Sequence, residues 1–374
     1  MAAMFHFLYL EATRKCNFNC PECSSGSQGN CQIEEDMPYD VIVERILQPA
    51  WNLGTRFIDF SGGEFLLRSD AVRLLEKAHR MGFGLGISSN GSTLDDATLQ
   101  HLEKLLGQNL IISLGINSFD EKNLVSRQSS ESNFMKTLER VQRYHFRVNV
   151  SVTMGSFNKD SFGNTIQKIS GLYLPFNRIP FTPRNSKRTE WMFSKEDMKN
   201  VLHPVLCSHY KGYVSYVPFF LTPEDYERIS GSAVSALPVP VKPSIGCWVG
   251  SFYAINPAGE VAPCPLLSDH LSGGNVLNEE LHDILYRSDL FTRIVKREEF
   301  EGKCGSCKFT RTCGGCRTYC YFKTGNVFGS DPTCFIEDLN QAELTELEKK
   351  TAKNFRNYFR MSHFGGQTQK NNSE

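Results

Sequence analysis

From the N-terminus to about residue 184 the chain alternates short apolar runs with helical faces. That rhythm constrains the fold before any residue is given a chemical role. Phe5-His6-Phe7-Leu8-Tyr9-Leu10 reads as a first strand; Phe57 to Phe60, Phe83 to Ser89, Asn109 to Leu114, Val148 to Met154 and Leu172 to Phe181 read as five more. Between them, Ala71, Leu74, Leu75 and Ala78 fall at i, i+3, i+4 and i+7, one face of a helix. Leu99, Leu102, Leu105 and Leu106 mark a second face, and Phe134, Leu138 and Val141 a third. Strands separated by helices pair in parallel through right-handed crossovers. The expectation is an α/β fold with six parallel strands. Periodicity alone does not separate a partial barrel from an open sheet.

The rhythm fades after residue 184. Residues 185–245 read as a bridge, with a helix from Ser194 to about Tyr210 and a linker containing Pro238-Val239-Pro240. A cysteine-rich region spans Cys247 to Cys334, and a charged helical stretch follows from Asp338 to about Phe359. Residues 365–374 are polar and read as disordered. The domain expectation is therefore 1–184, 185–245, 246–336 and 337–374. At 374 residues and 40% hydrophobic content, one large domain and a smaller one can each bury a core. Formal charge is zero, so there is no basic footprint for nucleic acid. No apolar run approaches the ~18 residues of a membrane span, and no cleavable signal is evident. Thirteen cysteines, clustered at metal-like spacings in a chain this long, argue for a reducing cytoplasm over a disulfide framework.

Chemistry enters just past the first strand, with Cys16-x3-Cys20-x2-Cys23. Three thiolates at these intervals can grip three corners of a 4Fe–4S cube, which normally takes four cysteines. Alone, the triplet also fits a fragment of a zinc site. Ser61-Gly62-Gly63-Glu64 closes the second strand; alone, it is an ordinary strand-to-helix turn. Found in this order on consecutive strands, the two motifs resemble the radical S-adenosylmethionine (radical SAM) enzymes. That resemblance implies a partial (β/α)6 TIM-type barrel and a cluster whose open iron takes the amino and carboxylate groups of SAM. Reductive cleavage then yields a 5′-deoxyadenosyl radical. By the same resemblance Gly62, Gly63 and Glu64 form the turn that receives the SAM amino group. Arg127 is placed at the SAM carboxylate, with Asn90 and Ser113 as further contacts. As bare residues, Arg127 is equally a loop charge and Asn90 a turn former. The chain departs from the family pattern at three places. Glu22 stands where an aromatic usually precedes the third cysteine, Phe65 replaces a proline, and Gly115 replaces an acidic residue after Ser113-Leu114.

The second cysteine region runs Cys247, Gly259, Cys264, then Cys304-x2-Cys307-x5-Cys313-x2-Cys316, with Cys320 and Cys334. Two Cys-x2-Cys pairs suggest a zinc ribbon, but ribbons separate their pairs by ~15–20 residues, and here five intervene. The pattern resembles the SPASM domain, a small α+β module with two auxiliary 4Fe–4S clusters. The resemblance assigns Cys304, Cys307, Cys313 and Cys334 to a distal cluster, and Cys247, Cys264 and Cys316 to a proximal one. Cys320 either closes the proximal cube or is a buried thiol. Cys31 and Cys207 have no evident partner and read as ordinary thiols, or as hydrogen donors to a substrate radical.

The function expected is a radical SAM maturase that abstracts hydrogen from a peptide or protein for oxidative modification or crosslinking. The alternative substrate is a tetrapyrrole side chain or another small cofactor precursor. A reducing protein such as flavodoxin or ferredoxin is an expected partner. In the given sequence fifteen residues precede Cys16, so any leader peptide is expected to be held by a separate protein. Neither nucleic acid nor membrane is an expected partner. Asp59 shares a strand face with Ser61 at period two, facing either the site or a polar core layer.

Overall fold

The computed structural model describes residues 5–27, 36–184, 188–208, 215–231 and 245–364, with side chains through residue 360. Cys31, Pro238-Val239-Pro240 and the polar tail lie outside the described residues. The chain divides into two compact units, residues 1–192 with 252–292, and residues 193–251 with 293–374.

The first unit is built on an eight-stranded sheet. Its strands are β1 (Phe7–Thr13), β2 (Phe57–Gly62), β3 (Gly84–Ser89), β4 (Leu110–Gly115), β5 (Arg147–Met154), β6 (Phe176–Pro180), β7 (Phe252–Ile255) and β8 (Val261–Ala262). They lie in the order β6-β5-β4-β3-β2-β1-β7-β8. All pairs are parallel except β7–β8. β6 and β8 are the ends, so the barrel is open. The six expected strands are all present. The sixth is shorter than expected because the helix Phe162–Gly171 and its cap at Leu172 consume its start. β7 and β8 form the antiparallel hairpin that the Asn256-Pro257-Ala258-Gly259 turn predicts; its place in this sheet was not expected. β7 pairs with β1, so the boundary placed at 245/246 does not separate two folding units; residues 252–292 pack with the sheet.

Register decides what each face does. Leu10, Phe60, Ile87, Ile112 and Val148 pair in one row across β1 to β5, and all are buried. Helices Ala71–Arg80, Asp96–Leu106 and Glu131–Arg143 bury the apolar faces predicted for them, Leu105 being only half-buried. Each fully buried Leu or Phe contributes roughly 1.5–3 kcal/mol. Asp95 and Ser130 cap two of these helices, accepting from the N–H groups of Thr98 and Asn133. Successive strand residues point to opposite faces, so the register opposite this apolar row carries Tyr9, Asp59, Ser61, Ser88, Ser113, Ser151 and Thr153.

The second unit is mostly helical. Ser194 and Asp197 form a capping box for a helix that begins at Lys195–Asp197, widens over Met198–Leu202 and ends at His203–Ser208. Thr222 caps Pro223–Ser230. The charged C-terminal helix is Gln341–Phe364, three residues later than its predicted start, and stacks Phe355 on Tyr226.

Candidate active site and cysteine centres

The Cys16–Cys23 loop leaves the C-terminal end of β1, where parallel sheets place their chemistry. It is pinned to β2 by backbone hydrogen bonds from Gly63 N–H to Thr13 O and from Glu64 N–H to Lys15 O, both 2.8 Å. A Cβ at Gly62, whose φ is +114°, would lie 2.1 Å from Thr13 O, and one at Gly63 1.9 Å from Lys15 O. Only glycine fits this approach. Asn19 N–H donates to Gln128 Oε1 (3.0 Å) and the Cys20 thiol to Arg127 O (3.4 Å), holding the far side of the loop.

A cleft with ≈ 700 Å³ of empty space, partly open to solvent, is lined by all three cysteines and by Gly62, Gly63, Asn90, Ser113 and Arg127. Its floor is a layer of hydroxyls from Tyr9, Ser61, Ser88, Ser113, Ser151 and Thr153. Burial pushes the Cys16 thiol above its ordinary pKa and the Cys20 thiol up to about 12. These thiols ionise only where a cation compensates them, as iron does. Among the described residues no three His, Cys, Asp or Glu groups converge on one metal-ion position. The cysteines instead surround a space, which fits a cluster.

The predicted contacts behave differently from one another. Asn90 reaches Asn17 Oδ1 (3.0 Å) and lies 3.9 Å from Cys16 Sγ. Ser113 Oγ accepts from Asn149 (3.2 Å). Glu64 does not line the cleft. Its buried carboxylate accepts from Ser89 Oγ, Asn90 N–H and Thr93 Oγ1, each at 2.8 Å. Three donors thus hold this side chain at the end of β3, two on Oε1 and one on Oε2. Arg127 does line the cleft, and a Cβ at Gly115 would lie 2.0 Å from its Nη2. The missing acidic residue thus leaves the room this guanidinium fills. Arg127 also sits 3.7 Å from Glu22 Oε1. Glu22, in the aromatic's place, is buried, accepts from Asn117 Nδ2 (2.9 Å) and leaves Oε2 without a partner. Behind the hydroxyl floor, Asp59 accepts from Ser88 Oγ (3.1 Å), and its Oδ1 has no partner. Burial raises its pKa to about 7, opposed by that hydrogen bond.

Sequence reasoning missed a buried network beneath the loop. Arg184 donates in a fork to Glu11 (2.6 and 2.8 Å), to Asp269 (2.7 Å), and to the carbonyls of Ser24 and Pro265 (3.1 and 2.9 Å). Ser24 follows Cys23, and Pro265 follows Cys264. One guanidinium therefore fixes the backbone beside two predicted metal ligands, a role that an arginine at a strand–bridge boundary does not announce.

In the second unit, Cys304, Cys307, Cys313 and Cys334 line one cavity with Gly314, Gly315 and Asp331. Burial raises the Cys307 and Cys313 thiols and lifts Cys334 to about 12. Cys247 is tied by its N–H to Cys313 O (2.8 Å), and Cys316 N–H donates to Asp331 (2.6 Å). Cys264 belongs to the first unit, so the structure does not gather the predicted proximal set within one unit. Cys320 is fully buried, does not line the Cys304 cavity and donates to Gly329 O (3.4 Å). Cys207 is buried against His203 (3.4 Å) and Tyr216 (3.4 Å). Burial raises its thiol pKa and lowers that of His203 to about 3. Both are neutral.

Residues 10–169 match the radical SAM superfamily profile, and residues 247–317 the iron-sulfur cluster-binding domain profile, SPASM. Among curated proteins, the AdoMet-dependent heme synthase of Methanosarcina barkeri (strain Fusaro / DSM 804) is 23% identical over 336 residues, covering 87% of this chain and 94% of that protein. The AdoMet-dependent heme synthase of Oleidesulfovibrio alaskensis (strain ATCC BAA-1058 / DSM 17464 / G20) is 25% identical over 343 residues, covering 87% and 85%. Among solved structures, anSMEcpe with bound AdoMet superposes with a TM-score of 0.67 at 16% identity, covering 94% of this chain and 98% of that one. Streptococcus suis SuiB bound to precursor peptide SuiA superposes with a TM-score of 0.63 at 15% identity, covering 88% and 75%. At those identities the structures share the fold.

Proposed function

The chain belongs to the radical SAM superfamily and carries an iron–sulfur SPASM domain, and on that premise we propose that it oxidatively modifies a side chain of a peptide or protein. The observation that carries the choice of substrate is the cleft floor, six hydroxyls from neighbouring strands. Arg127 is the one cation among the described residues lining that cleft, and Glu22 already faces it. Neutral hydroxyls suit the amides and small polar groups of a peptide. A tetrapyrrole carrying several carboxylates calls for several cations.

Cys16, Cys20 and Cys23 would hold the SAM-binding cluster, which with SAM supplies a 5′-deoxyadenosyl radical. Gly62 and Gly63 offer backbone groups to the SAM amino acid, Arg127 its carboxylate partner, and Asn90 and Ser113 polar contacts along the cleft. Cys304, Cys307, Cys313 and Cys334 would hold one auxiliary cluster; Cys247, Cys264 and Cys316 would hold the other, with Cys320 as its candidate fourth ligand. Oxidation of a substrate radical requires an electron acceptor, and clusters on these cysteines would supply one. The protein's remaining task is positioning, which supplies selectivity. Electrons would come from a reducing protein such as flavodoxin or ferredoxin.

A second reading, radical modification of a tetrapyrrole side chain, is favoured by the named heme synthases that match along most of their length. One experiment separates the two. The reconstituted chain, with SAM and dithionite, is challenged anaerobically with a cysteine-bearing peptide library or with propionate-bearing tetrapyrroles, and 5′-deoxyadenosine is counted. Stimulation and a mass change in a peptide support the first reading; turnover of a tetrapyrrole alone overturns it.

A further inference from the structure

Two buried arginines sit against the second unit's cysteines, and among the described residues neither is in salt-bridge contact with a carboxylate. Arg297 is 3% exposed and Arg317 1%. Arg297 donates to the carbonyls of Thr310 (3.0 Å), Arg311 (3.3 Å), Cys247 (2.8 Å) and Val249 (3.2 Å). Arg317 donates to the carbonyls of Val327 (3.0 Å) and Gly329 (2.7 Å), and its Nη2 lies 3.5 Å from Cys304 Sγ. Its Nε has no hydrogen-bond partner, and its guanidinium lies 4.1 Å from the Phe300 ring centre.

The Cys313-Gly314-Gly315-Cys316 turn is shaped around both groups. Gly314 and Gly315 have φ of +74° and +58°; a Cβ on Gly314 would lie 2.5 Å from Arg297 Nη1, and one on Gly315 2.7 Å from Arg317 Nη2. Among the described residues neither arginine forms an ion pair with a carboxylate. The buried Asp331 accepts from the N–H groups of Cys316 and Thr333 and from Thr333 Oγ1, and its charge reaches Arg317 without a direct ion pair, one carboxylate against two guanidinium groups. Lys303 is partly solvated and donates to Cys334 O. Burying a charge without a partner costs several kcal/mol. Two such charges beside four cysteines imply an anion that belongs there.

We propose that Arg297 and Arg317 are the counter-cations that set the electron affinity of the auxiliary cluster held by Cys304, Cys307, Cys313 and Cys334. The inference rests on the reading that those four cysteines hold a 4Fe–4S cube. A cube with four thiolates carries a net charge of roughly −2, and one-electron reduction adds another negative charge. Nearby fixed cations and hydrogen bonds to sulfur favour that step. They would poise this cluster to accept an electron.

The test is an EPR-monitored redox titration with dithionite on the full chain carrying Cys16→Ala, which leaves only auxiliary signals. It compares Arg317→Gln and Arg297→Gln with Arg317→Lys and Arg297→Lys. The expected result is that each Gln variant lowers the equilibrium constant for reduction at least tenfold, about 59 mV for a one-electron couple. The Lys variants should stay within about threefold of the parent, because they keep the charge. Gln variants that titrate with the parent at full iron overturn the proposal, as do Gln and Lys variants that shift equally. Iron lost from the Gln variants and kept in the Lys variants supports it, since charge then holds the anion. Iron lost from both overturns it in favour of hydrogen bonding. Failure of the underlying reading shows separately, as an iron content unchanged by Cys307→Ala.

Discussion

The two cysteine centres treat buried charge in opposite ways. Around the first, the buried Arg184 and Arg68 and the half-buried Arg127 each face a carboxylate of their own unit. Arg184 has Glu11 and Asp269, Arg68 has Asp70 at 2.8 Å, and Arg127 has Glu22. Around the second, Arg297 and Arg317 form no such pair among the described residues. A region that balances its own charges can fold and wait for an exchangeable ligand, as a site that binds and releases SAM must. A region left with surplus positive charge depends on a permanent anionic occupant. On the function proposed above, the difference would separate a reaction chamber from an electron store.

The largest expected effect tests that division. Cys16→Ala should lower 5′-deoxyadenosine formation by ~10³-fold or more, since proper positioning and cluster binding are lost together. Cys307→Ala should leave uncoupled SAM cleavage within a few-fold of the parent. Equal losses by chromatographic assay would break the comparison. Iron removal probes the same contrast without mutation. After chelation, amide exchange should accelerate around Gly315 to Asp331, while the amides of β2 to β4 keep their protection.

Arg184→Met should cost about 3–5 kcal/mol, because the buried Glu11 is left without its partner beside an apolar chain. Denaturant midpoints should show that loss equally in the chelated and reconstituted proteins. A loss that appears only with iron bound would mean the first region also leans on its cofactor. Asp59 adds a pH test, as a buried acid that burial keeps largely protonated up to about pH 7. A native pKa above the unfolded one gives stability that is complete below about pH 4 and fades as pH rises through about 7. Asp59→Asn should remove that fade, gaining up to about 4 kcal/mol over the parent at pH 8 and much less at pH 4.5. A pH-independent difference in urea midpoints would show the carboxylate already ionised in the native state. The smallest effect is expected from Gly115→Ala. Its methyl displaces the Arg127 guanidinium, and calorimetry should show SAM binding weakened by about tenfold, near 1.4 kcal/mol.

Much of the first unit was legible because its signals are local. The Ala71–Ala78 and Leu99–Leu106 faces repeat at helical spacing, and cysteine spacing does not depend on the fold. The pairing of β7 with β1 escaped because Phe252-Tyr253-Ala254-Ile255 is short, buried along its whole length and so lacks a two-residue period; it also sits inside a stretch read for its cysteines. The hydroxyl floor had a faint signal, Ser151 and Thr153 at period two inside an apolar strand. Arg297 had none, since its run Lys296-Arg297-Glu298-Glu299 looks like a solvated surface. Glu22 announced a departure, but its facing of Arg127 across more than a hundred residues is a tertiary fact. The part of Glu64 in holding Asn90 was likewise invisible, because the motif names the residue and not the direction of its side chain.

The paired contacts between the β2 turn and the loop after β1 bear on motion as well as on shape. Gly63 and Glu64 donate to the very carbonyls that lead into Cys16, and no methyl fits in the seam. A thermal excursion of the cysteine loop therefore carries the glycine turn with it. Whatever each of them grips keeps its separation while both move, so the seam acts as a ruler. Bond cleavage triggered by a single electron depends steeply on such a distance, and here two backbone hydrogen bonds that only glycine permits help to set it.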